Sequence, residues 1–277
     1  MSSAQNPQTS HANDAGVGWD CHVHLFDASA PPRAGHYRPS HRPLTQIEAE
    51  ASALQIAHLV LVQPSVYGSD NRLLLQALRA EPGRHRGVVV LGDAVDERSL
   101  AALHRDGVRG VRLNCVSPLG EGPDIVQRFH QLAPRIRAHG WHVQWYVAPE
   151  QLPAIAALHC GGAPLAMLDH LAGLHPDLPD DHPAWPALKT LAAQGAWIKL
   201  SGWYRQRSKA PHDDLLPLIR RIAKLFGDHL VWGSDWPHTW FAAEQAPAYR
   251  ATWSPVVAAL GAAQAFALQQ RAPAIYA

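Results

Sequence analysis

The chain has 277 residues, 47% of them hydrophobic, and its 24 basic and 23 acidic side chains leave a formal net charge of +1. That length suits one large domain or two small ones, and a barrel of alternating strands and helices takes roughly 250 residues. Scattered, nearly balanced charge offers no footing for a nucleic-acid or acidic-membrane partner, and no apolar run approaches the ~18 residues of a membrane helix.

Residues 1–18 are rich in Ser, Asn, Ala and Gln and lack a basic start and an apolar core. They read as a disordered tail, not a secretory signal, which places the domain proper at 19–277. Cys21, Cys115 and Cys160 form no C-x-x-C pair. They are expected to be buried thiols of a reducing, cytoplasmic compartment.

From Trp19 onward, short apolar runs alternate with segments of helical period. Trp19 to Phe26 opens with a strand, and Asp27 to Pro43, broken by Pro31, Pro32 and Pro39, is a long loop. Thr45 to Gln55 reads as a helix, with Thr45 as N-cap and Glu48 three residues on. His58 to Val62 is a strand, and Ser69 to Ala80 a helix with an N-cap candidate at its start. Strand–helix pairs follow at Gly87–Leu91 and Glu97–Arg105, Gly107–Asn114 and Pro123–His139, and Trp141–Val147 and Pro149–His159. The last three pairs are Pro164–His170 and Pro183–Gln194, Trp197–Ser201 and Asp213–Phe226, and His229–Gly233 and Pro255–Gln270. Pro176 to Pro186 is a loop.

The strands are short, rich in Val, Leu and Ile, and do not alternate cleanly, as strands buried on both faces should not. Eight such units, with no linker or short repeat, predict a single (β/α)8 TIM-like barrel. No Gly-x-Gly-x-x-Gly follows a strand, so no nucleotide cofactor is expected.

In such barrels the active site forms at the carboxyl ends of the strands. Those ends carry His22 and His24, Gln63 and Ser65, Arg112 and Asn114, Tyr146, Asp169 and His170, then Ser201, Tyr204 and Arg205, then Asp235 and His238. His22 and His24 are two apart in a strand and so share a face. Asp169 is as well placed to orient a neighbour or cap a helix as to react, and Trp236 is the tryptophan best placed to touch a ligand.

Three histidines and a carboxylate permit two mechanisms. A zinc ion bound by His22, His24 and either His170 or Asp235 would lower the pKa of its water to about 7. Without metal, the histidines would polarise a carbonyl and Asp235 would deprotonate the attacking water. No lysine or glutamate on the fifth strand is available to bridge two metals. Arg112 and Arg205 suit carboxylate recognition, because guanidinium forks bind carboxylates bidentately. Together these groups suggest a small anionic substrate with a carbonyl to be attacked.

Asp20-Cys21-His22-Val23-His24, Asp169-His170-Leu171-Ala172-Gly173, Lys199-Leu200-Ser201-Gly202 and Trp232-Gly233-Ser234-Asp235-Trp236-Pro237-His238 together resemble the amidohydrolase superfamily. The likeness is strongest to its lactonase-like branch, which contains the 2-pyrone-4,6-dicarboxylate hydrolases, and runs from Trp19 to about Tyr276. It implies hydrolysis of a lactone from aromatic breakdown, with Asp235 as general base and His22, His24 and His170 activating the carbonyl. It also implies that Tyr146 adds a hydrogen bond to that carbonyl. The carboxylate clamp of that branch is matched by Arg112 and Arg205, with Tyr37 and Ser65 beside them, whereas Pro118 and Gly173 stand where two further arginines are expected. Relatives work either without metal or with one zinc, so the resemblance leaves the cofactor open between none and a single Zn2+.

Rival expectations are a sugar-acid lactonase, for which Arg112 and Arg205 should matter little, a zinc-dependent decarboxylase, and a barrel that binds without catalysing. The oligomeric state stays open between monomer and homo-oligomer.

Overall fold

A computed structural model describes residues 18–34, 38–93, 95–117, 124–239 and 241–277. Eight strands pair in parallel in chain order: β1 (Gly18–Val23), β2 (Ile56–Val62), β3 (Arg86–Val89), β4 (Val108–Asn114), β5 (His142–Tyr146), β6 (Ala166–Leu168), β7 (Trp197–Leu200) and β8 (Leu230–Trp232). A helix follows each: α1 (Leu44–Ser52), α2 (Arg72–Ala80), α3 (Glu97–Arg105), α4 (Ile125–Ala138), α5 (Leu152–Leu158), α6 (Ala184–Ala193), α7 (Leu216–Phe226) and α8 (Ser254–Leu260). Two short helices, α9 (Ala262–Gln269) and α10 (Pro273–Tyr276), end the chain. This is the (β/α)8 barrel expected from the alternation. Among the described residues no helix is long and apolar enough to cross a membrane.

Both faces of the sheet are buried, which explains the weak alternation of its strands. Leu59, Leu61, Val111, Leu113, Ile198 and Leu200 pack outward against the helices. Cys21, Val60, Val62, Val88, Met167 and Val231 fill the interior. Strands β4 and β5 stack interior positions in layers, pairing Gly110 with His142, Arg112 with Gln144 and Asn114 with Tyr146. Gly110 has to be small, because a Cβ there would lie 2.5 Å from His142 Nε2.

The period of β1 breaks inside the strand. Asp20 pairs with Leu59 and Val23 with Leu61, so three steps on β1 match two on β2. This one-residue bulge turns Cys21 and His22 inward in succession. Strict alternation would have sent His22 outward with Asp20, whose carboxylate meets Tyr249 on the helical side.

Several boundaries differ from expectation for local reasons. Helix α1 starts at Leu44 behind Pro43 with no side-chain cap, so Thr45 is inside the helix and not its N-cap. Helix α2 starts at Arg72 rather than Ser69. The long helix expected over 255–270 divides at Gly261, whose φ of 82° ends α8. Helix α3 starts where expected, because Asp96 accepts a hydrogen bond from the Ser99 amide at 2.8 Å. Gly18 belongs to β1 and not to the tail, and residues 1–17 lie outside the described residues. Cys21 is buried, but Cys115 is half-buried and Cys160 exposed, which corrects the expectation of three buried thiols.

The barrel closes through the segment after β8 rather than through β8 itself. Asp235 N–H donates to His22 O at 2.9 Å and His24 N–H to Trp236 O at 2.9 Å. The Asp20 carboxylate ties this seam: Oδ1 accepts from the amides of His22 (3.0 Å) and Ser234 (2.9 Å), and Oδ2 from the Tyr249 hydroxyl (2.9 Å). Gly233 permits the approach, since a Cβ there would lie 2.5 Å from His22 Cβ and 2.9 Å from its backbone nitrogen. Gly233→Ala is therefore expected to cost about 1–3 kcal/mol, typical of overpacking a tight interior. A lower urea midpoint at unchanged slope would show it.

Candidate active site

The seam and its neighbours carry four groups to one point. His22 Nε2 lies 3.3 Å from His24 Nε2. Asp235 Oδ1 lies 3.7 Å from His22 Nε2, 3.6 Å from His24 Nε2 and 3.9 Å from His170 Nε2. All four residues are buried. Asp235 and His170 hold left-handed backbone conformations, with φ of 61° and 51°, a strain characteristic of functional positions.

The two oxygens of Asp235 have different work. Oδ2 accepts from Arg205 Nε at 2.8 Å and from the Tyr204 hydroxyl at 2.6 Å. Oδ1 is buried and makes no hydrogen bond. Burial alone would raise the Asp235 pKa, but the Arg205 guanidinium and the imidazoles hold it well below the ordinary carboxylate range. Tyr204, buried beside that charge, is pushed well above its usual pKa and stays a donor.

The imidazoles are not equivalent. Val62 O can only accept, so His24 Nδ1, 2.7 Å away, carries the ring proton and Nε2 presents a lone pair. His170 Nδ1 faces Ser201 Oγ at 2.9 Å, and its Nε2 makes no hydrogen bond. Burial lowers all three pKa values, His170 to about 3 and His22 well below the ordinary range. The rings are neutral at physiological pH.

Beneath them lies a buried ionic layer. Asp169 Oδ1 is 3.3 Å from His22 Nδ1 and 3.3 Å from Lys199 Nζ. Gln144 bridges the pair, donating to Asp169 Oδ2 at 3.0 Å and accepting from Lys199 at 2.7 Å. Burial opposes ionisation of Asp169, yet Lys199 and His22 keep its pKa well below normal. Asp169 therefore orients His22.

Lys199 and Gln144 were missed as site residues. Their signal is a polar side chain at an interior position of a strand otherwise built for a dry core: Lys199 sits two residues from Trp197, and Gln144 lies between His142 and Tyr146.

The expected substrate-binding residues divide. Arg112 is 4% exposed and makes one hydrogen bond, to Gln63 O at 3.2 Å. Its Nε stands 3.6 Å from Asp169 Oδ2. Arg112 and Arg205 lie 5.6 and 5.5 Å from the Tyr146 ring centre, and Arg205 also donates to the Tyr146 hydroxyl at 3.3 Å. Arg205 is the counter-ion of Asp235 before it is a clamp for substrate. Asn114 spends its carbonyl on the amides of Val116 and Ser117 and its amide on Ser65 Oγ at 2.6 Å, so it positions Ser65. His238 is 2% exposed, with neither ring nitrogen hydrogen-bonded. Tyr37 lies outside the described residues. Trp236 points away, its indole N–H donating to Glu50 at 3.3 Å, which corrects its expected ligand contact.

His22, His24 and Asp235 offer three ligand atoms within 3.7 Å of one another. That spacing approaches the roughly 3.3 Å edge of a tetrahedron with zinc-to-nitrogen bonds of about 2.0–2.1 Å. The His24 lone pair, its Nδ1–H on a backbone carbonyl and Asp169 behind His22 are the outer partners that metal-binding histidines use. The trio fits a single metal ion, with His170 facing from the Asp235 side.

The amidohydrolase family model matches residues 19–263. The chain belongs to the amidohydrolase family. A 4-sulfomuconolactone hydrolase of Rhizobium radiobacter is 30% identical over 226 residues, covering 80% of this chain and 76% of the relative. A 2-pyrone-4,6-dicarboxylate hydrolase of Comamonas testosteroni is 30% identical over 237 residues, covering 79% and 76%. A solved structure from Pseudomonas putida, described as a candidate 2-pyrone-4,6-dicarboxylic acid hydrolase, superposes with a TM-score of 0.83 at 30% identity over 94% of this chain and 97% of its own.

Lys199→Met removes the nearer countercharge of buried Asp169 and leaves it only Arg112, at 3.6 Å. Breaking such a pair costs about 3–5 kcal/mol. Urea denaturation should show a loss of that size, part of which Asp169→Asn restores in the double variant.

Proposed function

We propose that this amidohydrolase hydrolyses an anionic lactone, with Asp235 as general base. The observation that carries the reading is Asp235 Oδ1: a buried, ionised oxygen with no hydrogen-bond donor, facing three neutral imidazoles. A water between Oδ1 and the substrate carbonyl gives its proton to Asp235 as its oxygen bonds to the carbonyl carbon. The ring C–O bond then breaks, and the departing oxygen takes up the proton held by Asp235, which restores the carboxylate. His170 polarises the carbonyl when the Ser201 hydroxyl donates to its Nδ1, which leaves the ring proton on Nε2. His22 and Tyr146 flank the same position. His24, with a lone pair at Nε2, orients the water rather than donating to the carbonyl. Relatives named for a sulfonated muconolactone and a pyrone dicarboxylate support a cyclic, anionic ester, a class that arises in aromatic breakdown.

The His24 lone pair favours a second reading of the same reaction, in which His22, His24 and Asp235 hold one zinc ion. That ion would supply Lewis acidity and a lowered pKa for water.

Acid release from muconolactone, 4-sulfomuconolactone and 2-pyrone-4,6-dicarboxylate, each with and without chelator, decides between them. Loss with chelator and recovery with zinc would assign the metal, and release that survives chelation would assign the metal-free route. Asp235→Asn should keep the fold and lower kcat by about 10²–10⁴. Normal turnover by that variant would refute the base assignment.

On the metal-free route the acid limb of kcat/KM is displaced downward. The general base is ionised far below its ordinary pKa, and His238 and His170 take up protons only near pH 4 and 3. Activity should stay level from pH 8 down through the ordinary histidine value of 6.5 and fall only below it, because burial lowers every imidazole of the site. An acid limb near pH 7 would instead point to the metal.

A further inference from the structure

The loops after β7 and β8 enclose a crevice of about 690 Å³. Trp203, Tyr204 and Pro211 come to it from the first loop, and His238, Phe241 and Pro247 from the second. It lies behind Asp235. The Tyr204 hydroxyl donates to Asp235 Oδ2, the oxygen that does not face the imidazoles, and the His238 amide donates to Asp235 O at 3.0 Å. Among the described residues, its lining includes none of His22, His24, His170 and Tyr146. The crevice is therefore separate from the face on which the imidazoles converge.

Its walls are fixed, and their buried polar groups are committed inside the protein. Trp203 Nε1–H donates to Thr252 O at 2.7 Å, and the Thr252 hydroxyl to Tyr249 O at 2.7 Å. Ser234 Oγ accepts from the Trp236 amide at 3.0 Å. Ser208 staples the first loop: its hydroxyl donates to Asp214, and its oxygen faces His212 Nδ1 at 3.0 Å. Two side chains break this pattern. His238 is 2% exposed, neither of its ring nitrogens is hydrogen-bonded, and its backbone is left-handed at φ 63°, a conformation that costs energy in a residue other than glycine. Phe241 leaves 37% of its surface exposed, with its ring centre 5.0 Å from that of Tyr204. A preformed cavity of this size, walled by aromatic and proline side chains around one buried polar group, has the build of a small-molecule site.

The lining also sets the chemistry of the occupant. The rings of Trp203, Tyr204 and Phe241 suit a flat aromatic body. An imidazole with two unpaired nitrogens is satisfied by a hydroxyl, which can donate to one nitrogen or accept from the other. A carboxylate at that depth would meet the ionised Asp235, and Lys209, the cation of the described lining, is exposed. We infer that the crevice binds a neutral aromatic molecule carrying a hydroxyl, separate from the reacting lactone, with its ring against Phe241 and Tyr204 and its hydroxyl on His238.

Calorimetric titration of the whole chain with 2-naphthol tests this. One molecule should bind per chain, and 2-naphthoate, with a carboxylate in place of the hydroxyl, should bind about tenfold more weakly or worse. Ala251→Trp fills the crevice from the turn at 249–252, and Phe241→Asp puts a charge on its wall. Both positions are exposed, so both variants should fold. Each should weaken 2-naphthol about tenfold, the scale of losing an aromatic contact. No saturable binding to the wild type, an affinity within twofold of wild type in both variants, or 2-naphthoate binding as tightly as 2-naphthol would each overturn the inference. These titrations read the crevice whether or not a lactone is opened. Where one is opened, 2-naphthol should leave its KM unchanged. A KM that rises in proportion to 2-naphthol would put the probe in the lactone's own place and overturn the separate site.

Discussion

One carboxylate joins the end of the chain's last strand to its first. Asp20 accepts from the amides of His22 and Ser234 and from the Tyr249 hydroxyl, and across this seam Asp235 and His24 exchange backbone hydrogen bonds with His22 and Trp236. Closing the barrel and assembling the site are therefore one event. Asp235 reaches its place opposite His22 and His24 only because Gly233 lets the two segments approach, and His22 faces inward only because β1 gains a residue between Asp20 and Val23.

Such a seam needs rigid support, because three imidazoles and a carboxylate without direct hydrogen bonds among most of them have little to hold them together. The layer below provides it. Lys199, Gln144 and Asp169 form a chain of short polar contacts ending on His22 Nδ1, while Val62 O fixes His24 and Ser201 faces His170. Burying these ions is unfavourable in itself, and an apolar layer of equal volume would serve stability as well or better. The return is orientation: each ring is held by its Nδ1 and turns its Nε2 to one point.

The barrel was legible because its strands are buried on both faces and its helices keep their period, so eight units could be counted without knowing any contact. The groups at the strand ends were legible for the same reason, as histidines and an aspartate at one end of one barrel. Three things were not. The β1 bulge leaves no local mark in Asp20-Cys21-His22-Val23. Lys199 and Gln144 look like ordinary strand residues until the interior parity of β5 and β7 is applied. The partner of Arg205 is thirty positions away, and no pattern in the sequence couples it to Asp235 rather than to a substrate.

That last pairing bears on the proposed role of Asp235 as base. Arg205 lowers the proton affinity of Asp235, which keeps the carboxylate ionised but makes it a poor acceptor. Arg112 and Arg205 both lie within 5.6 Å of the Tyr146 ring centre, so the two guanidinium charges reinforce one another near Asp235. An anionic substrate settling among these arginines counters their field and raises the proton affinity of Asp235. On the proposed lactone route Asp235 would then be weakest as a base in the empty enzyme and strongest with a lactone carbonyl in place. On that proposed route the arginines would serve chemistry as well as capture, and charge on the substrate would take part in catalysis.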